Sequence, residues 1–474
     1  MMGIFALEAG ALLAALRGGE VSAAAVMAAT LDRIAARNPA INAIVSLLDR
    51  DTLMAAAARA DAVPVADRGA LHGLPMAVKD LVATAGIRST MGSPLYADHI
   101  PDRDDLLAAR LRGAGAILIG KTNVPEFGLG SQSFNPVFGA TRNPYDPTRT
   151  AGGSSGGAAA ALAAGMLWLA DGSDMMGSLR NPAGWNNAYS LRPSWGVVPA
   201  EPSGEMFLHA LSTDGPMARC PADLALLLGV LAGPDPRMPH TRPLPPAPLA
   251  ADVTGRRIGW LADWGGAWPM EDGILETCAA ALESFAALGC TVEELAPPFS
   301  HDALWESWTV LRQFAVAGRL GAADDDPATR GALKPEAIWE IEAGRRLSAA
   351  DIQSASLIRS DWYRCLAGLA ERHDALALPT AQVWPFDIDT RWPDRVAGVA
   401  MDTYHRWMEV VIPVSLAGAP AVTVPAGFGA AGLPIGLQLF ASRGGDMGLL
   451  QLAEAYHRAT GWPQRRPPAF ASAP

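Results

Sequence analysis

The segment TAGGSSGGAAAALAAGMLWLADGSDMMGSLRNPAGWNNAYSLRP, residues 150–193, holds two Gly-flanked serine sites, Ser154/Ser155 and Ser178, joined by a small-residue stretch with the look of a buried helix. Six of the eight residues from 152 to 159 are Gly or Ser. Such turns let backbone N–H groups approach a ligand closely and converge on one spot. The same composition would suit a flexible linker. A linker would not run straight into the apolar AAAALAAGMLWLA, so the turn is read as buried and shaped.

The regions around it alternate between helix and strand patterns. Upstream, residues 5–37 carry apolar residues at helical spacing, with a break at Gly18-Gly19 and Ser22 as an N-cap. A second Ala-rich helix spans 51–62, and both read as a surface layer. In LHGLPMAVKDLV (71–82), a short apolar strand ends in Lys79. A lone lysine is usually solvated. Apolar surroundings disfavour its ammonium and can leave a neutral amine able to act as a base. Downstream, 222–231 reads as a helix and the Pro-rich 234–248 as an extended connection. Strands at 257–261 and 291–295 bracket a helix at 271–288. Helices follow at 303–320 and 349–372, then a strand at 375–378, a hairpin of 421–424 with 435–440, and a helix at 447–460.

GAILIGKT (115–122) satisfies the phosphate-loop pattern GxxxxGK[ST]. That mechanism needs a loop before the lysine and a helix after it. Here the variable residues are Ala-Ile-Leu-Ile, a strand, and the helix (104–112) comes first. The nucleotide reading is rejected.

The chain has 474 residues, half of them hydrophobic and 18% charged, enough for a large packed core. The net charge of −11, with no long basic run, argues against nucleic acid or an anionic membrane as a partner. Cys220, Cys278, Cys290 and Cys365 are scattered without metal-ligand spacing and suit free thiols. No secretory leader pattern or membrane-length apolar run is present, so a cytoplasmic location is expected, with no metal and no cofactor.

Lys79, a serine of the GGSSGG turn and Ser178 could form a hydrolytic set without histidine. A buried neutral lysine can activate a serine directly or through a second hydroxyl, and the tight turn before Ser178 could supply backbone donors. Spacing alone does not single these residues out.

The motifs do. GLPMAVKD (73–80), GGSSGG (152–157) and GSDMMGSLRNPA (172–183) stand in the order and at the intervals of the amidase signature family, which the chain resembles. The likeness extends to GKTNVPEF (120–127), NPYDPTRTAGGSSGG (143–157) and AGAPAVTVPAGF with GLPIGLQL (417–439), and is weakest between about 234 and 380. It implies an α/β fold: one large α/β/α domain (1–474) with a central mixed sheet covered by helices on both faces. The signature core would span 72–233, with a variable, mostly helical region at 234–403 shaping the pocket.

Carried over by position, the resemblance implies Ser178 as nucleophile, Ser154 as a serine held by a cis peptide, and Lys79 as base. The oxyanion hole would be the backbone of Met175, Met176, Gly177 and Ser178. Gly153, Ser155, Asp174 and Arg180 would support the loop. The family usually has glycine at position 176, and a hole that survives with Met there requires an ordinary backbone conformation.

The activity implied is hydrolysis of small amides or carbamates (urethanes) through an acyl-enzyme, and a homodimer is compatible with it. Trp305, Trp308, Trp384 and Trp407 are read mainly as packing residues, with a pocket lining as the alternative. Two other functions compete. A glutaminase-type subunit of a tRNA amidotransferase is disfavoured because such relatives tend to carry an arginine where this chain has Val197-Val198. An α/β-hydrolase esterase would use Gly152–Gly156 as GxSxG, but needs a strand before it and a catalytic histidine after it. NPYDPTRTA reads as a poor strand, and His209, His240, His301, His373, His405 and His457 as surface or packing residues.

Overall fold

Apolar runs without polar alternation belong to strands covered on both faces. Ala375–Pro379, Ala421–Phe428 and Pro434–Phe440 are of this kind, and they stand mid-sheet in the computed structural model, which describes residues 2–469. The sheet has eight strands, in the order Thr291–Glu294, Arg257–Trp260, Ala375–Pro379, Pro434–Phe440, Ala421–Phe428, Tyr189–Arg192, Thr213–Ala218 and Leu169–Asp174. The first three pair in parallel and every later neighbour is antiparallel, so the sheet is mixed. The 421–428 and 434–440 strands form the expected hairpin, bulged between Pro425 and Gly427.

A second sheet of three strands, Ile44–Val45, Ile117–Thr122 and Pro75–Lys79, carries Lys79 at the end of its last strand. That strand meets Leu169–Asp174 without a ladder. A side chain bridges the gap: the carboxylate of Asp171 accepts the Lys79 backbone N–H at 3.1 and 3.2 Å. Helices cover the sheets, giving the single mixed α/β domain expected. The 234–403 region supplies three strands of the large sheet besides its helices.

Several local expectations hold. Ser22 caps Ala23–Ile41, its Oγ accepting the Ala25 N–H at 3.1 Å. Lys121 of the rejected phosphate loop lies in a buried strand, where Nζ donates to Thr84 Oγ1 at 2.7 Å and to the Val82 carbonyl. One expectation is corrected. Asp146–Thr150 is a strand, formed by pairing with Arg142–Asn143 in a two-stranded ribbon outside the main sheet.

The helix Gly156–Ala163 after the glycine turn is fully buried from Gly156 to Leu162. Gly157 allows this depth, because a Cβ there would lie 2.3 Å from the Asn123 nitrogen and 2.6 Å from the Ala43 carbonyl oxygen. Three helices of the later half, His301–Asp325, Pro335–Arg345 and Ala349–Ala370, pack on one another beside the sheet. With residues 127–129, the first two enclose a small apolar cluster of Phe127, Leu129, Val316, Leu320, Leu333, Ala337 and Ile341, separate from the main core.

Candidate active site

Strand geometry delivers Lys79 to the turn. Its side chain is 1% exposed, and Nζ lies 2.8 Å from Ser154 Oγ, 2.8 Å from Ser155 Oγ, 2.9 Å from Ser173 Oγ and 3.3 Å from the Ser173 carbonyl oxygen. An ammonium has three hydrogens for these four oxygens, whereas a neutral amine donates two and can accept one from a hydroxyl. Burial lowers the Lys79 pKa to about 8, against the opposing pull of the Asp171, Asp214 and Asp174 carboxylates. Burial likewise pushes Asp171 up to about 6, with the Lys79 N–H, Lys121 and Lys79 acting against it.

The Gly153–Ser154 peptide is cis. The two serine sites join through the Ser155 N–H, which donates to the Ser178 carbonyl at 3.3 Å. Gly153 N–H reaches Asn181 Oδ1 at 3.4 Å. Ser178 is 7% exposed, and its side chain makes no hydrogen bond with another described residue. With Ser154, it lines a cavity of about 90 Å³ whose walls include Met175, Met176, Leu129, Val316, Leu320 and Arg312. A wider hollow of about 690 Å³ beside Leu31, Asn38 and Arg142 is an open groove holding no serine, cysteine or lysine.

The turn before Ser178 is wrapped around Asp174, whose carboxylate accepts from Gly177 N–H at 2.8 Å, Leu179 N–H at 3.2 Å, and Arg180 Nε and Nη2 at 2.9 and 3.0 Å. Arg192 also donates to the Asp174 carbonyl. Burial alone would raise the Asp174 carboxyl, but Arg180 and Arg192 reverse this and hold it well below the usual range. Arg180 also reaches the Val411 carbonyl, Gln438 and Ser415.

This geometry corrects the expected oxyanion hole at one position. The Gly177 N–H is committed to Asp174, whereas those of Met175, Met176 and Ser178 make no hydrogen bond with a described residue. Met176 has no positive φ, while Gly177 does (φ 77°), so the turn tolerates Met at 176.

Sequence reasoning brought Lys79, Ser154, Ser155 and Ser178 together but missed Ser173 and Asp214. Both signals were present: alternation along Leu169–Asp174 puts Asp171 and Ser173 on one face, and Asp214 stands opposite Ser173 in the ladder. None of the six named histidines hydrogen-bonds a serine; His373 binds the Leu369 carbonyl and His457 the Tyr189 hydroxyl. Trp308 and Trp407 are buried in the core, Trp305 and Trp384 pack against it, and none lines the cavity. Val197 and Val198 are core residues away from the cavity. No helix among the described residues is long and apolar enough to cross a membrane, and no three His, Cys, Asp or Glu side chains are grouped as ligands.

Comparison with known proteins decides the family: the Amidase profile matches residues 25–450. The chain belongs to the amidase signature family. Among curated amidase relatives, a glutamyl-tRNA(Gln) amidotransferase subunit from Roseiflexus sp. (strain RS-1) is 35% identical over 482 residues, covering 96% of each chain. The acylamidase of Rhodococcus erythropolis is 32% identical over 473 residues, covering 97% of each. A bacterial aryl acylamidase of the same family superposes with a TM-score of 0.90 at 28% identity, covering 99% of both chains. The peptide amidase of Stenotrophomonas maltophilia does so with a TM-score of 0.80 at 28% identity, covering 98% of both. The chain is thus an amidase-signature amidohydrolase.

Proposed function

We propose that this amidase hydrolyses small amides and carbamates through an acyl-enzyme on Ser178. The observation that carries the reading is the buried Lys79 amine, bonded to Ser154, Ser155 and Ser173 in the cavity that Ser178 lines. Neutral Lys79 takes the Ser154 proton while Ser154 takes that of Ser178, whose Oγ adds to the carbonyl carbon. The uncommitted N–H groups of Met175, Met176 and Ser178 serve the developing oxyanion, while Gly177, bound to Asp174, fixes the turn. Collapse breaks the C–N bond of an amide, or the C–O bond of a carbamate, and the leaving group departs with the relayed proton. Water then adds to the acyl-enzyme by the same relay and releases Ser178. Asp174 and Arg180 position the turn and touch no substrate.

The test is turnover of an aryl anilide, the matching aryl carbamate, an ester and glutamine by wild type, Ser178→Ala, Ser154→Ala and Lys79→Ala. Anilide or carbamate cleavage that falls by about 10³-fold or more in the Ser178 and Lys79 variants supports the proposal. Activity retained by Ser178→Ala and lost in Ser154→Ala would move the nucleophile to the glycine turn. Glutamine as the preferred substrate would favour a second reading, a glutaminase-type subunit, which the 35% identity to the Roseiflexus relative brings into view.

A further inference from the structure

The wall of the serine cavity contains a guanidinium with unspent donors. Arg312, on His301–Asp325, is 3% exposed and lines the cavity with Ser154 and Ser178. Its Nε donates to Glu340 Oε1 at 2.6 Å and its Nη2 to the Tyr404 hydroxyl at 2.6 Å, while that hydroxyl donates to Glu340 Oε1 at 2.7 Å. Nη1 has a single neighbour, Met175 Sδ at 3.5 Å. A guanidinium has five N–H donors and a thioether is a weak acceptor, so the unmet donors lie on the side of Met175, itself a lining residue. Buried donors left unpaired are costly, and a ligand acceptor removes that cost.

We infer that Arg312 Nη1 is a specificity-determining donor that receives a second, neutral oxygen of the substrate, a carbonyl or ether carried near the scissile group. The charge balance selects a neutral acceptor. Glu340 already offsets the guanidinium, and its Oε2 is buried without a hydrogen-bond partner. A carboxylate on the substrate would compete with Glu340 for one cation and be repelled by it. The inference rests on the amide and carbamate reading of the same cavity and names the substrate class within it.

The test pairs isosteric anilides: methoxyacetanilide with butyranilide, and 3-methoxypropionanilide with pentananilide, plus the succinic acid monoanilide as the anionic member. Relative kcat/KM is measured for wild type, Glu340→Gln and Arg312→Met/Glu340→Gln, the double variant avoiding a stranded buried carboxylate. Dissociation constants are measured by calorimetry for the same ligands on a Ser178→Ala background. At least one ether is expected to exceed its methylene partner by about tenfold or more, with the anion disfavoured. That ratio should survive Glu340→Gln and fall to near one in the double variant. No ether preference in wild type, an unchanged ratio in the double variant, or preference for the anion overturns the inference. Binding preference without turnover would leave it standing and sink the hydrolytic reading; turnover without preference would do the reverse.

Discussion

The backbone N–H of Lys79 is held by the side chain of Asp171 at 3.1 Å, so the residue that bridges the two sheets also sets the field at the Lys79 amine. Asparagine at 171 keeps an acceptor for the N–H and removes the charge. Without that carboxylate the ammonium is less favoured, so the amine loses its proton more readily. Asp171→Asn is expected to move the acidic limb of the rate profile down by on the order of one pH unit. A profile that stays in place or moves up would show that Asp171 acts only as a clasp between the sheets.

The wild-type limb follows from the same amine. Lys79 acts as a base only when neutral, and burial brings its pKa to about 8. With a neutral anilide, log kcat/KM should rise with unit slope below about pH 8 and level off above it. Rates independent of pH from 6 to 8 would remove Lys79 from the proton relay.

Gly177 stands at φ 77°, and a Cβ there would lie 3.0 Å from both Val411 methyl carbons. Gly177→Ala therefore meets backbone strain and a clash within the turn that presents Ser178. A stability loss of about 1–3 kcal/mol in urea unfolding is expected, with a larger proportional loss of activity. A stable and fully active variant would mean that the turn relaxes freely.

Arg180 and Asp174 are fully buried partners. Arg180→Met leaves the carboxylate with Arg192 alone, at an expected cost of about 3–5 kcal/mol. Because the folded state depresses the Asp174 pKa below 3.8, the stability it contributes is complete above about pH 4 and is lost as pH falls further. Acid unfolding should therefore begin at higher pH in the variant. Coincident acid transitions in the two proteins would contradict this.

What the sequence revealed and what it hid divide along physical lines. Lys79, Ser154 and Ser178 lie in local segments whose glycines and spacing carry information, and the Ala421–Phe428 hairpin has a clear apolar run. Thr213–Ala218 was hidden because its TDGPMA contains Gly and Pro, both poor strand residues. Tyr189–Arg192 is short and wholly buried, so it shows no alternation. Arg312, Glu340 and Tyr404 meet only because two helices and a loop converge, and no local pattern announces such a contact.

The separate apolar cluster of Phe127, Leu129, Val316, Leu320, Leu333, Ala337 and Ile341 divides the molecule's labour. Leu129, Val316 and Leu320 of that cluster face the cavity, whereas the lysine, the serine turn and the Asp174 clamp are anchored in the sheets. Substitutions in the wall can thus resculpt what enters while the machinery that breaks the bond stays put. Such a scaffold lets one chemistry drift across many acyl groups over evolutionary time, and it tells a protein engineer where diversification costs the fold least.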